Sequence, residues 1–331
     1  MPKKIEISHR TIIFTAAFLL ILWFIYAVRD IILMFFVSVI IMSALHPAVD
    51  RLEKLRIPRG LAIAMIYIIL WTIIGGIIAS IIPALVEQTS RLIRLLPNAI
   101  YHIEFFNSRQ QLITEQLLTR IGSLPENLLK VTLGLFSNII NVLTTIVISF
   151  YLLLERKHLN KYLGILLADE SPGRASKTIS EIERRLGSWV RGELVLMAAV
   201  GLLTYFGLVI LGIDIALPLA ILAGILEIIP NIGPIISAIP AVLIAFLIHP
   251  LMGVSTAALY FLVQFLENHI LVPKIMQRAA GVNPLISILS LMIGFRLYGP
   301  AGAILSIPLV IVIQTIGLEF FSLRHLEELS A

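Results

Sequence analysis

The chain has 331 residues, 59% of them hydrophobic and 14% charged, with a mean hydropathy of +0.99. No soluble core hides that much apolar surface, so the composition specifies a membrane protein with several spans. Cysteine is absent, which excludes disulfides and thiolate metal sites. The net charge of +5 falls mostly between apolar runs, where membrane orientation accounts for it without nucleic acid.

Lys3, Lys4 and Arg10 precede an uncharged run from Thr11 to Val28. That run is long for a signal peptide and ends without an Ala-x-Ala-like site, so it reads as a retained first span. A second run covers Ile31 to Val49, and a third runs from Leu61 to Val86. Between them lie Arg51, Lys54, Arg56 and Arg59, which place this loop and the N-terminus in the cytoplasm. From Glu87 to Lys130 apolar pairs recur at spacings of three and four among balanced charges. The pattern predicts amphipathic helices in an extracytoplasmic arm, whose apolar stripe needs a neighbouring subunit or the membrane surface.

The fourth span is expected from Val131 to Leu154, followed by a basic cytoplasmic stretch from Glu155 to Arg191. Ile179, Ile182, Leu186, Trp189 and Val190 share a face there and suggest an interfacial helix, with a solvated connector helix as the alternative. A fifth span follows over 194–213.

Two later stretches are broken. The run from Ile215 to Ile248 is divided by Pro218, Pro230, Pro234 and Pro240, and carries the single carboxylate Glu227. A carboxylate at bilayer depth costs about 2.5 to 3.5 kcal/mol on insertion scales, so it marks a used position. The run over 283–315 is divided by Arg296, Gly299, Pro300 and Pro308. Pro218-Leu219 matches Pro284-Leu285 at an offset of 66 positions, and Gly233-Pro234 matches Gly299-Pro300 at the same offset. The match predicts an inverted repeat of broken helices, one entering from each side.

WVRGELVL at 189–196, EIIPNIGPIISAIP from Glu227, HPLMG from His249, ENHILVPKIMQRAAGVNPL from Glu267 and GPAGAILSIPL from Gly299 resemble the AI-2E family of permeases. The resemblance implies a prokaryotic inner-membrane carrier with about eight helical membrane segments. It also implies a homo-oligomeric ring such as a pentamer, and either export of an autoinducer-2-like signal or exchange of Na+ or Li+ for H+.

The expected organisation is a scaffold over 1–154, a connector over 155–192, a transport domain over 193–320 and a tail over 321–331. Glu227 is the leading candidate to bind a proton or cation, with pairing to Arg296 as the structural alternative. Asn231, Gly233 and Pro234 would expose free carbonyls beside it. Gln264, Glu267 and Asn268 form a polar stripe on the following span. Arg296, Gly299 and Pro300 would form the second tip, and His249 is expected to cap a helix beside Pro250. No cofactor, metal site or enzymatic signature is expected, since nucleotide-binding glycine loops, GxSxG and HExxH are absent. A passive pore and a non-transporting scaffold are the alternatives to a carrier.

Overall fold

A computed structural model describes residues 9–101, 139–166, 172–230, 232–276 and 283–330. The regular elements there are α1 (His9–Ala27), α2 (Arg29–Lys54), α3 (Arg59–Tyr101), α4 (Ile139–Leu166), α5 (Pro172–Ile210) and α6 (Ala216–Leu226). They continue with α7 (Ile232–Ile248), α8 (Pro250–Leu266), a π-turn (Glu267–Leu271), α9 (Val272–Met276) and α10 (Pro284–Ser330). Among the described residues five stretches are long and apolar enough to cross a membrane: Arg29–Lys54, Arg59–Ala79, Ser176–Ile210, Pro250–Met276 and Leu285–Leu318. Shorter apolar helices cover Ile12–Ala27, Ala216–Leu226 and Ile232–Phe246. The protein is therefore all-α and polytopic.

Two expected boundaries disappear. The helix of the third span does not end near Val86 but continues to Tyr101, because the pattern changes there from apolar to amphipathic while the helical period persists. The rest of the arm, and the start of the fourth span before Ile139, lie outside the described residues. The connector helix and the fifth span are likewise one helix, α5. Leu186 and Trp189, expected at the membrane surface, are buried in a core with Ile40 of α2 and Ile307 and Ile311 of α10. Their stripe continues without a phase shift through Leu196, Val200 and Leu208, so one face of α5 is covered by protein over most of its length.

α5 packs against α2, α4, α6, α8, α9 and α10, and is the axis of the described structure. Its crossings use glycine. A Cβ on Gly224 of α6 would come within 2.7 Å of the Met197 carbonyl and 3.4 Å of the Gly201 Cα. A Cβ on Gly187 would lie 2.2 Å from the Ser43 carbonyl oxygen of α2. That carbonyl has no intrahelical donor, because the residue four positions on is Pro47. Arg191 supplies one, its Nη1 donating to the Ser43 and Ala44 carbonyls at 3.5 and 3.4 Å.

Charges gather at one end of this assembly. Arg59 donates to Asp50 at 3.2 Å, to Glu53 at 2.8 Å and to the Leu153 carbonyl at 2.9 Å. Lys157 pairs with Glu53, and Arg156 pairs with Glu183 at 2.6 Å. The loop after α2 and the basic stretch leading into α5 thus share one face, as the positive-inside pattern requires of two loops on one side.

Both broken stretches are helical hairpins. The first, α6 and α7, starts from the opposite end of α5 and turns after Leu226. The second lies within α10, which reverses at Tyr298 and at Gly299 (φ 60°, ψ −146°). Its two arms meet so closely that a Cβ on Gly294 would lie 2.3 Å from the Gly302 carbonyl oxygen. In a straight helix these residues would be about 12 Å apart. The Tyr298 hydroxyl donates to Asp30 at 2.7 Å, fixing this tip beside the start of α2.

The base of the second hairpin, at Thr315 and Leu318, borders the Ser176–Arg185 part of α5 near the charged face, so the two hairpins open in opposite directions. The 66-residue register does not superpose their turns. Gly299 is itself the reversing residue, whereas Gly233 falls in the first turn of α7, beyond the tip.

The dihedral angles of Gly299 are accessible only without a Cβ. Gly299→Ala is expected to destabilise the hairpin by about 1–3 kcal/mol, read as a lower melting temperature of the purified protein. A melting temperature equal to wild type would show that the tip tolerates another backbone conformation.

Candidate functional site at the first hairpin tip

The last turn of α6 tightens as it ends: Ile228 donates to Ile225 and Ile229 to Leu226, at 3.2 and 3.1 Å. Pro230 contributes no donor, and Gly233 closes the turn by donating to the Ile229 carbonyl at 2.9 Å. The return strand of backbone passes so near that a Cβ on Gly233 would sit 1.8 Å from the Leu226 carbonyl oxygen. Only glycine fits. Pro234 is buried beside it, and Asn231 lies outside the described residues.

This turn holds Glu227 inside the protein, where it is 1% exposed. Facing it is Glu267 of the neighbouring span, 3% exposed and close enough for the two carboxyl groups to act on each other directly. Glu267 opens the π-turn: the Val272 N–H reaches back five residues to its carbonyl. A π-turn widens the helix by one residue, and such turns recur at functional positions. Gln264 donates its Nε2 to the Glu267 carboxylate at 3.0 Å, leaving its own Oε1 without a protein partner.

A third carboxyl joins the pair. Glu193 of α5 is 4% exposed and lies within electrostatic range of both Glu227 and Glu267. One oxygen of Glu193 and one of Glu227 are buried with no hydrogen-bond partner in the protein. Glu193 is absent from the candidates read from sequence, where it stood at the seam between connector and span. Its signal was its phase: it falls on the apolar stripe of α5, between Trp189 and Leu196, where an amphipathic helix would carry another hydrophobe. Among the described residues no three acidic or histidine side chains converge tightly enough to hold a metal ion.

The remaining candidates separate from this cluster. Asn268 is exposed, as is His269, whose ring stacks on Phe265 at 4.3 Å. Arg296 is exposed and makes no ion pair with Glu227, which removes the structural alternative for that carboxylate. Gly299 and Pro300 belong to the second tip, anchored at Asp30. His249 caps α8 as its position suggested, Nδ1 accepting from the Leu251 N–H at 3.2 Å.

Buried acids at a broken helix, within a polytopic helical protein, are the marks of a membrane transporter. Residues 12–321 match the model of the AI-2E family transporters, and the chain belongs to that family. It is 30% identical over 308 residues to the AI-2 transport protein TqsA of Escherichia coli, covering 86% of this chain and 85% of that one. It is also 28% identical over 306 residues to the protein YueF of Bacillus subtilis, covering 86% and 83%. Both relatives carry names that describe transport.

Gly233→Val is expected to force the tip open and separate Glu227 from Glu267, abolishing transport while α2 to α4 remain packed. Thermal unfolding and flux measured on the same preparation check this, and full flux in the variant would show that the close approach is dispensable.

Proposed function

We propose that the chain is a secondary transporter of the cytoplasmic membrane, with its N-terminus and charged face in the cytoplasm, in which the Glu227–Glu267 pair carries the coupling proton. The observation that supports this reading is the contact between two carboxyl groups in a water-poor interior. Such a contact is stable only with a proton between them, since two adjacent buried negative charges would repel. A small hard cation such as Na+ or Li+ can displace that proton, because carboxylate and amide oxygens suit it and it carries the same charge. The free Gln264 oxygen supplies a further ligand atom beside Glu267. Exchange of Na+ or Li+ for H+ is the reaction this arrangement serves.

A second reading, export of a small polar signal, is favoured by the similarity to the AI-2 transport protein of Escherichia coli. The same proton pair would then drive an organic cargo. Assembly into a homo-oligomeric ring fits either reading.

In sealed proteoliposomes, adding Na+ or Li+ should release or take up protons. Glu227→Gln and Glu267→Gln should each lower that flux about a hundred-fold or more, the scale on which positioned proton-transfer groups act. No cation-driven flux in wild type would set the exchange reading aside, and flux driven by an autoinducer-2 gradient would then establish the second. Normal flux in both variants would remove the pair from the mechanism.

A further inference from the structure

Buried hydroxyls in this protein follow one habit. Ser38, Ser43, Ser237, Ser306 and Thr315 each donate to a carbonyl of their own helix at 2.6 to 2.9 Å. Bonding of this kind is the ordinary way to satisfy a hydroxyl inside a helix bundle. Three hydroxyls depart from it. Thr204 (1% exposed), Thr256 (0%) and Tyr260 (7%) have no hydrogen-bond partner in the protein. Each would cost about 1–3 kcal/mol if left dry, so three together require an account.

Their placement supplies one. Thr256, Tyr260, Gln264 and Glu267 stand at successive spacings of four, four and three along α8, which puts them on one face. Steps of four residues are about 6 Å along the axis, a gap that one or two waters bridge. Thr204 belongs to the buried stripe of α5 that also carries Glu193. The two helices run antiparallel, with Gly207 against Leu259, which sets Thr204 and Tyr260 at nearly the same level. The polar line therefore starts at Thr256, about 9 Å along α8 from Pro250 and level with the end of α5 at Ile210, and finishes at the acids.

We propose that Thr204, Thr256 and Tyr260 line a hydrated path between α5 and α8. It connects the Glu227–Glu267 pair with the face on which α5 ends and α8 begins, opposite the Arg59–Glu53 and Arg156–Glu183 pairs. Its occupant is a short water file able to pass a proton or a small hydrated cation. The apolar neighbours of Tyr260, Leu208 and Ala245 among them, confine that file to the hydroxyl face. The path gives the acid pair access to one side of the membrane. It rests on the transporter reading only for what moves along it.

The natural chain has no cysteine, so single cysteines report without interference. Thr204→Cys and Thr256→Cys are introduced into the full-length protein in sealed proteoliposomes of determined orientation. Each is treated from either face with a small charged methanethiosulfonate that does not cross the bilayer. Ala62→Cys, equally buried in the α2–α3–α4 core, is the dry control. A thiol in apolar surroundings does not ionise and reacts slowly. The expected result is modification of both threonine positions from the Ile210 face, at least about ten-fold faster than at Ala62→Cys, with protection from the charged face. Rates equal to the control from both faces, or reaction from the charged face alone, would overturn the path.

Labelling does not depend on flux. A labelled path in a protein without cation-driven proton movement would refute the exchange reading and keep the path, and the converse result would do the opposite. Tyr260→Phe keeps the ring and removes the hydroxyl; a slower proton flux with unchanged thermal stability is expected, and an unchanged flux counts against Tyr260 as part of the line.

Discussion

A carboxyl group inside hydrocarbon is tolerated only where protein closes over it and a proton or counter-ion offsets its charge. Glu227 meets the first condition at the cost of much of the surrounding architecture. The helix carrying it must end at depth, its unpaired carbonyls must be enclosed, and another helix must bring a partner to the same level. Gly233, the 3.2 and 3.1 Å tightening bonds of the turn and the π-turn at Glu267 are all answers to that one requirement.

α5 provides the enclosing wall. Its buried stripe begins in the charged face, passes Glu193 at the level of the tip and ends in the core shared with the first hairpin. Glycines at positions 187, 201 and 224 let α2 and α6 come close to it, a distance at which few side chains need to desolvate. The second hairpin is built by a different device, two glycines face to face and a reversal at Gly299, and is secured by a hydrogen bond to α2. The two hairpins share a direction-reversing role and an opposite polarity, yet one presents a carboxyl at its tip and the other an aromatic tie.

Much of this was legible in the residues. Hydrophobic runs gave the spans, prolines marked the hairpins, and a lone carboxylate in an apolar run pointed to the tip. Spacing also placed Gln264 with Glu267. What escaped depended on neighbours distant in sequence. Leu186 and Trp189 form an apolar face that would suit a membrane surface equally well, and only α2 and α10 packing over them decides otherwise. Glu193 was concealed by the basic segment preceding it, where an acid is unremarkable. The internal similarity at 66 residues aligned Gly233 with Gly299 although one follows a turn and the other makes it, because similar strings can place their reversals at different points.

Pro47 and Arg191 carry a broader consequence. Proline leaves α2 with a defect it cannot mend alone, and the mend is a guanidinium on α5, 147 and 148 positions away from the carbonyls it serves. The two residues form a fastener whose halves are worthless apart: the cation needs the vacated Ser43 carbonyl, and that carbonyl needs the cation. An alanine at position 47 would restore the Ser43 bond within α2 and render Arg191 redundant there, so the harm done by losing Arg191 depends on whether the proline is present. α2 and α5 are thereby joined through the backbone carbonyls of α2, which no exchange of side chains on α2 can easily dissolve.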